Sequence, residues 1–149
     1  MFAENKYSYT TNDSFLDYEF ESIGIRGTIR KVARFNLIDA DIYNFGFGDL
    51  DETTGNISDT VVSNNGDDDM VLMTLASIIY SFTNVYNGFT VFITGTTASR
   101  TRRYQMGIGK HWDDIRKVFY LFGLKKEVWE EFKRGENYSA FIAQRKEHT

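Results

Sequence analysis

Cysteine and proline are both absent from the 149 residues, and histidine occurs only twice. Without cysteine there are no disulfides, no thiolate nucleophile and no Cys-ligated zinc or iron–sulfur site. The two histidines, His111 and His148, lie far apart in sequence, so a two-histidine metal site is not expected and no cofactor is called for. No Gly-x-Ser-x-Gly elbow is present, which sets aside a Ser/His/Asp hydrolase of that type. With no proline, no internal repeat and no low-complexity linker, no domain boundary is drawn. The reading is a single domain over 1–149, with residues 1–14 as a loosely ordered lead-in. Long apolar runs are also missing. Val71–Phe82 spans a dozen residues and contains Thr74 and Ser77, too short and too polar to cross a bilayer. The first residues, MFAENKYSYT, have no basic region followed by an apolar one, so no secretory signal is read there. The expectation is a cytoplasmic protein without a membrane partner.

Positive charge is missing from the middle of the chain. Residues 35–99 carry nine acidic side chains and no Lys or Arg, whereas residues 100–149 carry twelve basic and seven acidic ones. The net charge of −4 therefore conceals an asymmetry. Either the two segments pack together and neutralise each other, or the chain presents a basic face usable for phosphate or nucleic acid.

What is abundant is aromatic: thirteen Phe, nine Tyr and two Trp, enough large apolar surface for the core of one domain of this length. Leu16, Tyr18 and Phe20 alternate with Asp17, Glu19 and Glu21, the period of a half-buried strand. Gly24-Ile25-Arg26-Gly27 interrupts the pattern and Ile29–Leu37 resumes it, which predicts a hairpin. Ile42–Gly48 reads as a third strand whose glycines mark a bulge or a close backbone approach. Residues 49–66 form an acidic, Gly/Asn-rich loop, with Val61-Val62 as a short apolar anchor.

Val71, Leu75, Ile78, Phe82 and Val85 recur at steps of three and four, predicting a helix with a broad buried stripe. Asn or Asp supplies its N-cap and Asn87-Gly88 its left-handed end. Phe89–Thr94 is a short central strand. A second helix starts at Thr96, Thr97 or Ser99 and runs through Met106, weakening or bending at Gly107 and Gly109. His111–Phe119 is read as helical, Tyr120–Leu124 as extended, Lys126–Phe132 as a short helix and Tyr138–Arg145 as a closing strand. The fold class is α+β: a mostly antiparallel sheet of about five strands with two main helices packed on one face.

The chemistry concentrates in FTVFITGTTASRTRRY, residues 89–104. A helix N-terminus leaves backbone N–H groups unpaired and carries partial positive charge, so a Gly/Thr/Ser turn there can hold an anion. The candidate anion-binding residues are Gly95, Thr96, Thr97, Ser99, Arg100, Arg103 and Tyr104, with Arg100 and Arg103 on one helix face and Arg102 elsewhere. GTTASRTR lacks the spacing of a Walker loop. The alternative is that the hydroxyls only cap the helix and the arginines pair with Asp67–Asp69 or the acidic loop.

Arginines that stabilise charge developing on a phosphate, with Tyr104 or a lysine moving protons, would suit a metal-independent ribonuclease. A second cluster, Asn64, Asn65, Asp67, Asp68 and Asp69, offers oxygen ligands for a divalent cation but lacks EF-hand spacing; capping and a solvated turn are favoured, and no metal is expected. Arg26, Arg30, Lys31 and Arg34 could extend a basic surface, except that Arg30 and Lys31 face opposite sides of a strand. The partners these residues suggest are an anionic small molecule, RNA, or another protein, a second copy of the chain included.

The succession FESIGIRGTIRKVARF, YNFGFGD, SNNGDDDMVLMTLAS, FITGTTASRTRRYQMGI and NYSAFIAQRK resembles the family known as DUF6934, short bacterial proteins found mainly in Bacteroidetes. The resemblance implies a bacterial origin and one stand-alone domain, and it carries no activity with it. In the family pattern the turn reads Gly-Ser-Thr and the helix Arg-Thr-Arg-Leu-Tyr. Here Thr96 and Arg103 stand in place of that Ser and Leu, and the second change adds a charge where an apolar contact is expected.

Overall fold

A computed structural model describes residues 5–58 and 64–147. Val61-Val62, read as the anchor of the acidic loop, and His148 lie outside the described residues. The strands are β1 (Tyr9–Thr11), β2 (Asp17–Gly24), β3 (Gly27–Asp39), β4 (Ile42–Asp49), β5 (Thr90–Ile93), β6 (Phe119–Lys125), β7 (Val128–Glu131) and β8 (Ala140–Arg145); the helices are α1 (Asp68–Val85), α2 (Ala98–Lys110) and α3 (Trp112–Ile115). They form one sheet in the order β1-β2-β3-β4-β5-β8-β6-β7. Every neighbouring pair is antiparallel except β4 and β5. A parallel pair needs a crossover, and α1 lies on it.

The α+β class is as expected, but the described residues hold eight strands where the periodicity predicts about five. β1 sits inside the stretch read as a lead-in and pairs with β2 through Tyr9↔Phe20. Lys126–Phe132, predicted to be a short helix, is instead the far side of a hairpin. Lys126 and Glu127 take φ of 49° and 67° and join β6 to β7 in register Lys125↔Val128. Two consecutive positive φ values are the signature of a tight hairpin turn, normally made by Asn-Gly. The segment read as helical over His111–Phe119 keeps only α3, and β6 begins at Phe119. Nor does α2 weaken at its glycines: it runs unbroken through Gly107 and Gly109. A Cβ on Gly107 would stand 2.3 Å from Cδ2 of Leu72, so the missing side chain lets α1 and α2 approach.

The register puts Tyr18, Phe20, Ala33, Phe35, Tyr43, Phe45, Val91, Ile93, Phe141, Ala143 and Leu121 on one face, and all are buried. α1 lies on this face. The Phe82 ring stacks on Phe35 at 3.8 Å between centroids, with Tyr86 at 4.8 Å and Tyr43 at 5.1 Å. Arg145 closes the far end, its guanidinium 3.7 Å from the Tyr80 ring centre and donating to the Tyr80 carbonyl. The glycines of β4 permit a close approach, as the sequence implies. A Cβ on Gly48 would meet Ile57 at 2.6 Å, so the loop after β4 folds back against that strand. Arg30 and Arg34 hold the loop through Glu52 and Asn56.

Candidate functional site

β5 pairs with β4 only over Ile42–Phe45, so the last residues of β4 run on beyond it. Above that end, the start of α1 and the length of α2 enclose a pocket of about 300 Å³, floored by Lys31, Phe47, Gly48 and Asp49. Its walls are Asp67, Asp68, Asp69, Val71, Leu72 and Leu75 from α1 and its cap, and Arg100, Arg103, Tyr104, Met106, Gly107 and Lys110 from α2. Three members of the predicted arginine corner and three of the predicted acidic cluster thus face each other across one pocket.

The charges on its surface are largely matched. Lys31, 6% exposed, pairs with Asp49, 7% exposed. Strand alternation places Lys31 on the buried face with Ala33 and Phe35 while Arg30 turns outward to Glu19 and Glu52, as the period of two requires. Asp69 takes Lys110 at 3.2 Å and His111 Nε2 at 2.6 Å. His111 first, and Lys110 after it, hold the Asp69 carboxyl below its ordinary value, against the opposing effect of burial. Asp67 accepts from Tyr7 at 2.6 Å and from Ser22 at 2.5 Å.

Two α2 groups differ. Arg103 makes no hydrogen bond and no ion pair among the described residues, although it is half-buried in the pocket wall. The Tyr104 hydroxyl also has no hydrogen-bond partner among them, and burial pushes it up to about 12 with Arg100 pulling the other way. It therefore keeps its proton at neutral pH and can donate.

The turn before α2 behaves differently from the cradle its sequence suggests. Thr97 caps the helix, its hydroxyl accepting from the Arg100 amide at 3.2 Å. The Gly95 amide is taken by the Thr101 hydroxyl at 3.0 Å, and the Thr101 amide by the Thr97 carbonyl. Thr96 accepts from Arg100 Nη1 at 2.9 Å, and Ser99 is exposed. A Cβ on Gly95 would come 2.6 Å from the Thr101 amide, which explains the glycine by packing within the turn. Gly95, Thr96 and Thr97 therefore bond within the helix end and Ser99 faces outward, while Arg100, Arg103 and Tyr104 line the pocket.

The acidic cluster divides in the same way. Asn65 is 2% exposed and fastens the β2–β3 turn. Its Oδ1 accepts from the Arg26 amide at 2.6 Å, and its Nδ2 donates to the Gly27 carbonyl at 2.9 Å and the Ser22 hydroxyl at 3.1 Å. Asn64 is exposed, its carbonyl accepting from Arg26 Nε. Asp67 occupies the N-cap position of α1 without a side-chain cap bond, because its carboxylate is committed to Tyr7 and Ser22. Among the described residues no group of three or more His, Asp or Glu is placed to hold a metal ion. No described helix is long and apolar enough to cross a membrane.

Phe47, Asp49, Leu72, Met106 and Lys110 belong to the pocket without being among the residues the sequence pointed to, and Lys31 and Gly107 stood out there only as part of a basic surface and as a weak point of a helix. One signal was available: a lysine on the inward phase of a strand, between Ile29 and Ala33, is a charge placed among core residues. The others come from three elements, β4, α1 and α2, and meet only through the fold. A family model described as a family of unknown function, DUF6934, matches residues 3–146. No curated protein and no solved structure matches the chain.

Proposed function

The chain belongs to DUF6934, a family of unknown function, and we propose that it is a binding protein whose pocket between α1 and α2 takes a small ligand bearing an anionic group. The observation that carries this reading is Arg103, a half-buried guanidinium in the pocket wall with no anion among the described residues. A partly desolvated charge without a partner is costly, and a carboxylate or phosphate oxygen pair fits the guanidinium fork. Tyr104, in the same lining, carries a hydroxyl that burial keeps protonated.

The surroundings limit the ligand. Four cations, Lys31, Arg100, Arg103 and Lys110, share the lining with four carboxylates, Asp49, Asp67, Asp68 and Asp69. A pocket of near-zero net charge favours one small anionic group over a polyanion, whose binding draws on a basic surface. The ribonuclease alternative has less support for this reason and for a second: a phenol pushed up to about 12 is a poor general base at neutral pH. The setting we propose is a bacterial cytoplasm, bacterial by family resemblance and cytoplasmic by composition.

The test is thermal unfolding with phosphate, sulfate, short carboxylates, nucleotides and short RNA, in wild type and Arg103→Ala. A ligand at one hundred times its Kd stabilises by about 2.7 kcal/mol, raising the midpoint by roughly 5–10 °C for a domain of this size. The reading fails when no anion raises the wild-type midpoint more than that of the variant.

A protein partner is the second reading, supported by the other face of the sheet. Phe92, Ile142 and Phe122 form a cross-strand row there, with Leu124 and Trp129 beside it, and Trp129 stands 6.3 Å from Phe92. Among the described residues no helix packs over this row. Sedimentation of wild type and Trp129→Ser decides whether the row joins two copies of the chain.

A further inference from the structure

Behind the pocket lies a second cavity of about 60 Å³. Leu72, Leu75 and Tyr104 line both spaces, so these side chains form part of the partition between them. Beyond the partition the lining is Phe45, Ala76, Ile79, Ile93, Ile108 and similar apolar groups. A cavity so lined offers a water too few partners to stay, but it accepts methylene or methyl groups. The outer pocket has the complementary pattern: Arg103 and Lys110 lie on its α2 side, and Leu72, Leu75 and Phe47 carry an apolar surface inward.

Resting on the anion-binding reading above, we infer that the ligand is an amphipathic anion. Its carboxylate or phosphate head meets Arg103, and its alkyl portion crosses Leu72 and Leu75 toward the inner cavity. A nucleotide or sugar fits the same head group but would bring ring nitrogens and hydroxyls against Leu72, Leu75 and Phe47, leaving them without partners. An alkyl chain has no such groups to satisfy. With no Cβ on Gly107, the Leu72 side chain packs into space that any larger residue would occupy, which sets the position of Leu72 in the wall.

The experiment is a calorimetric titration of the full chain with acetate, butanoate, hexanoate and octanoate, with octyl phosphate and inorganic phosphate as the second head-group arm. Each methylene taken into the apolar space should tighten binding about fourfold, the equivalent of about 0.8 kcal/mol. Octanoate should then bind roughly a hundredfold or more tighter than butanoate. The two head-group arms decide between carboxylate and phosphate. Ala76→Leu, which fills the inner cavity and leaves the outer lining unchanged, should flatten the gain for the longest chains while butanoate binds as before. Short anions that distinguish wild type from Arg103→Ala, with no gain from chain length, overturn the amphipathic ligand and leave the anion site standing. A chain-length gain that Ala76→Leu does not alter places the tail elsewhere and also overturns it. No anion distinguishing wild type from Arg103→Ala removes both readings. The wild-type series decides the matter even where Ala76→Leu does not fold.

Discussion

Asn65→Ala should destabilise the protein far more than a loop substitution ordinarily does. The side chain is 2% exposed and makes three good hydrogen bonds, to the Arg26 amide, the Gly27 carbonyl and the Ser22 hydroxyl. Alanine removes all three and leaves those groups enclosed by the same backbone. A Cβ on Gly24 would lie 1.9 Å from the Asn65 carbonyl oxygen, which shows how closely the turn and this residue are packed. At about 1 kcal/mol per lost bond the cost is about 3 kcal/mol, and for a domain of this length the melting midpoint should fall by roughly 6–12 °C. Urea unfolding should show a lower midpoint with an unchanged slope. Ser22 receives the Asn65 amide and donates to Asp67, so the damage should extend to the start of α1 and the pocket wall. A midpoint within about 2 °C of wild type would refute the reasoning, since it would mean that water replaces all three bonds without cost.

Three further outcomes follow from the packing and the charges. Phe82→Ala, which deletes a fully buried ring stacked on Phe35, should cost about 3–5 kcal/mol by chemical denaturation. Gly107→Ala should cost about 1–2 kcal/mol of stability, because the new methyl overlaps Leu72 at the α1–α2 contact and the helices must shift to admit it, and it should weaken anion binding several-fold in a calorimetric titration as Leu72 is displaced toward the pocket. The folded Asp69 carboxyl lies below its ordinary value of 3.8, so the stability it contributes is present above that value and lost as pH falls through the folded one. Denaturation followed from pH 5 to pH 2 should therefore show a shallower acid loss in Asp69→Asn, by about 0.5 kcal/mol, since the carboxylate is partly exposed and its pairs are screened.

The long elements were legible because each carries its own period. Tyr18 and Phe20 against Glu19 and Glu21 mark β2, and Val71, Leu75, Ile78 and Phe82 mark α1, with tertiary burial on the sides those spacings define. β7 was not legible, because its turn is made by Lys126 and Glu127 at positive φ, a conformation these residues rarely adopt. Its Glu-rich strand has the composition of a helix, and pairing with β6 overrides that preference. β1 is too short for any period to show. The glycines of α2 misled for a related reason: Gly107 is needed by Leu72 of another helix, which local propensity does not register. For the site, the arginine-bearing helix and the acidic helix start were both visible in the sequence. That they approach each other was one of the alternatives the charges offered, but the pocket between them was not legible, because its floor comes from β3 and the end of β4. Of the candidates around this turn, Thr96 and Thr97 bond within the helix end, while Arg100, Arg103 and Tyr104 line the pocket.

Arg103 and its neighbours on α1 and α2 form the binding surface we propose. Amide NMR shifts of the full chain titrated with hexanoate and octyl phosphate test it most directly. The largest changes should fall at Phe47–Asp49, Asp68–Leu75 and Arg100–Lys110, and Arg103→Ala should abolish them. Changes confined to Gly95–Ser99, or a pattern that survives unaltered in Arg103→Ala, would contradict it.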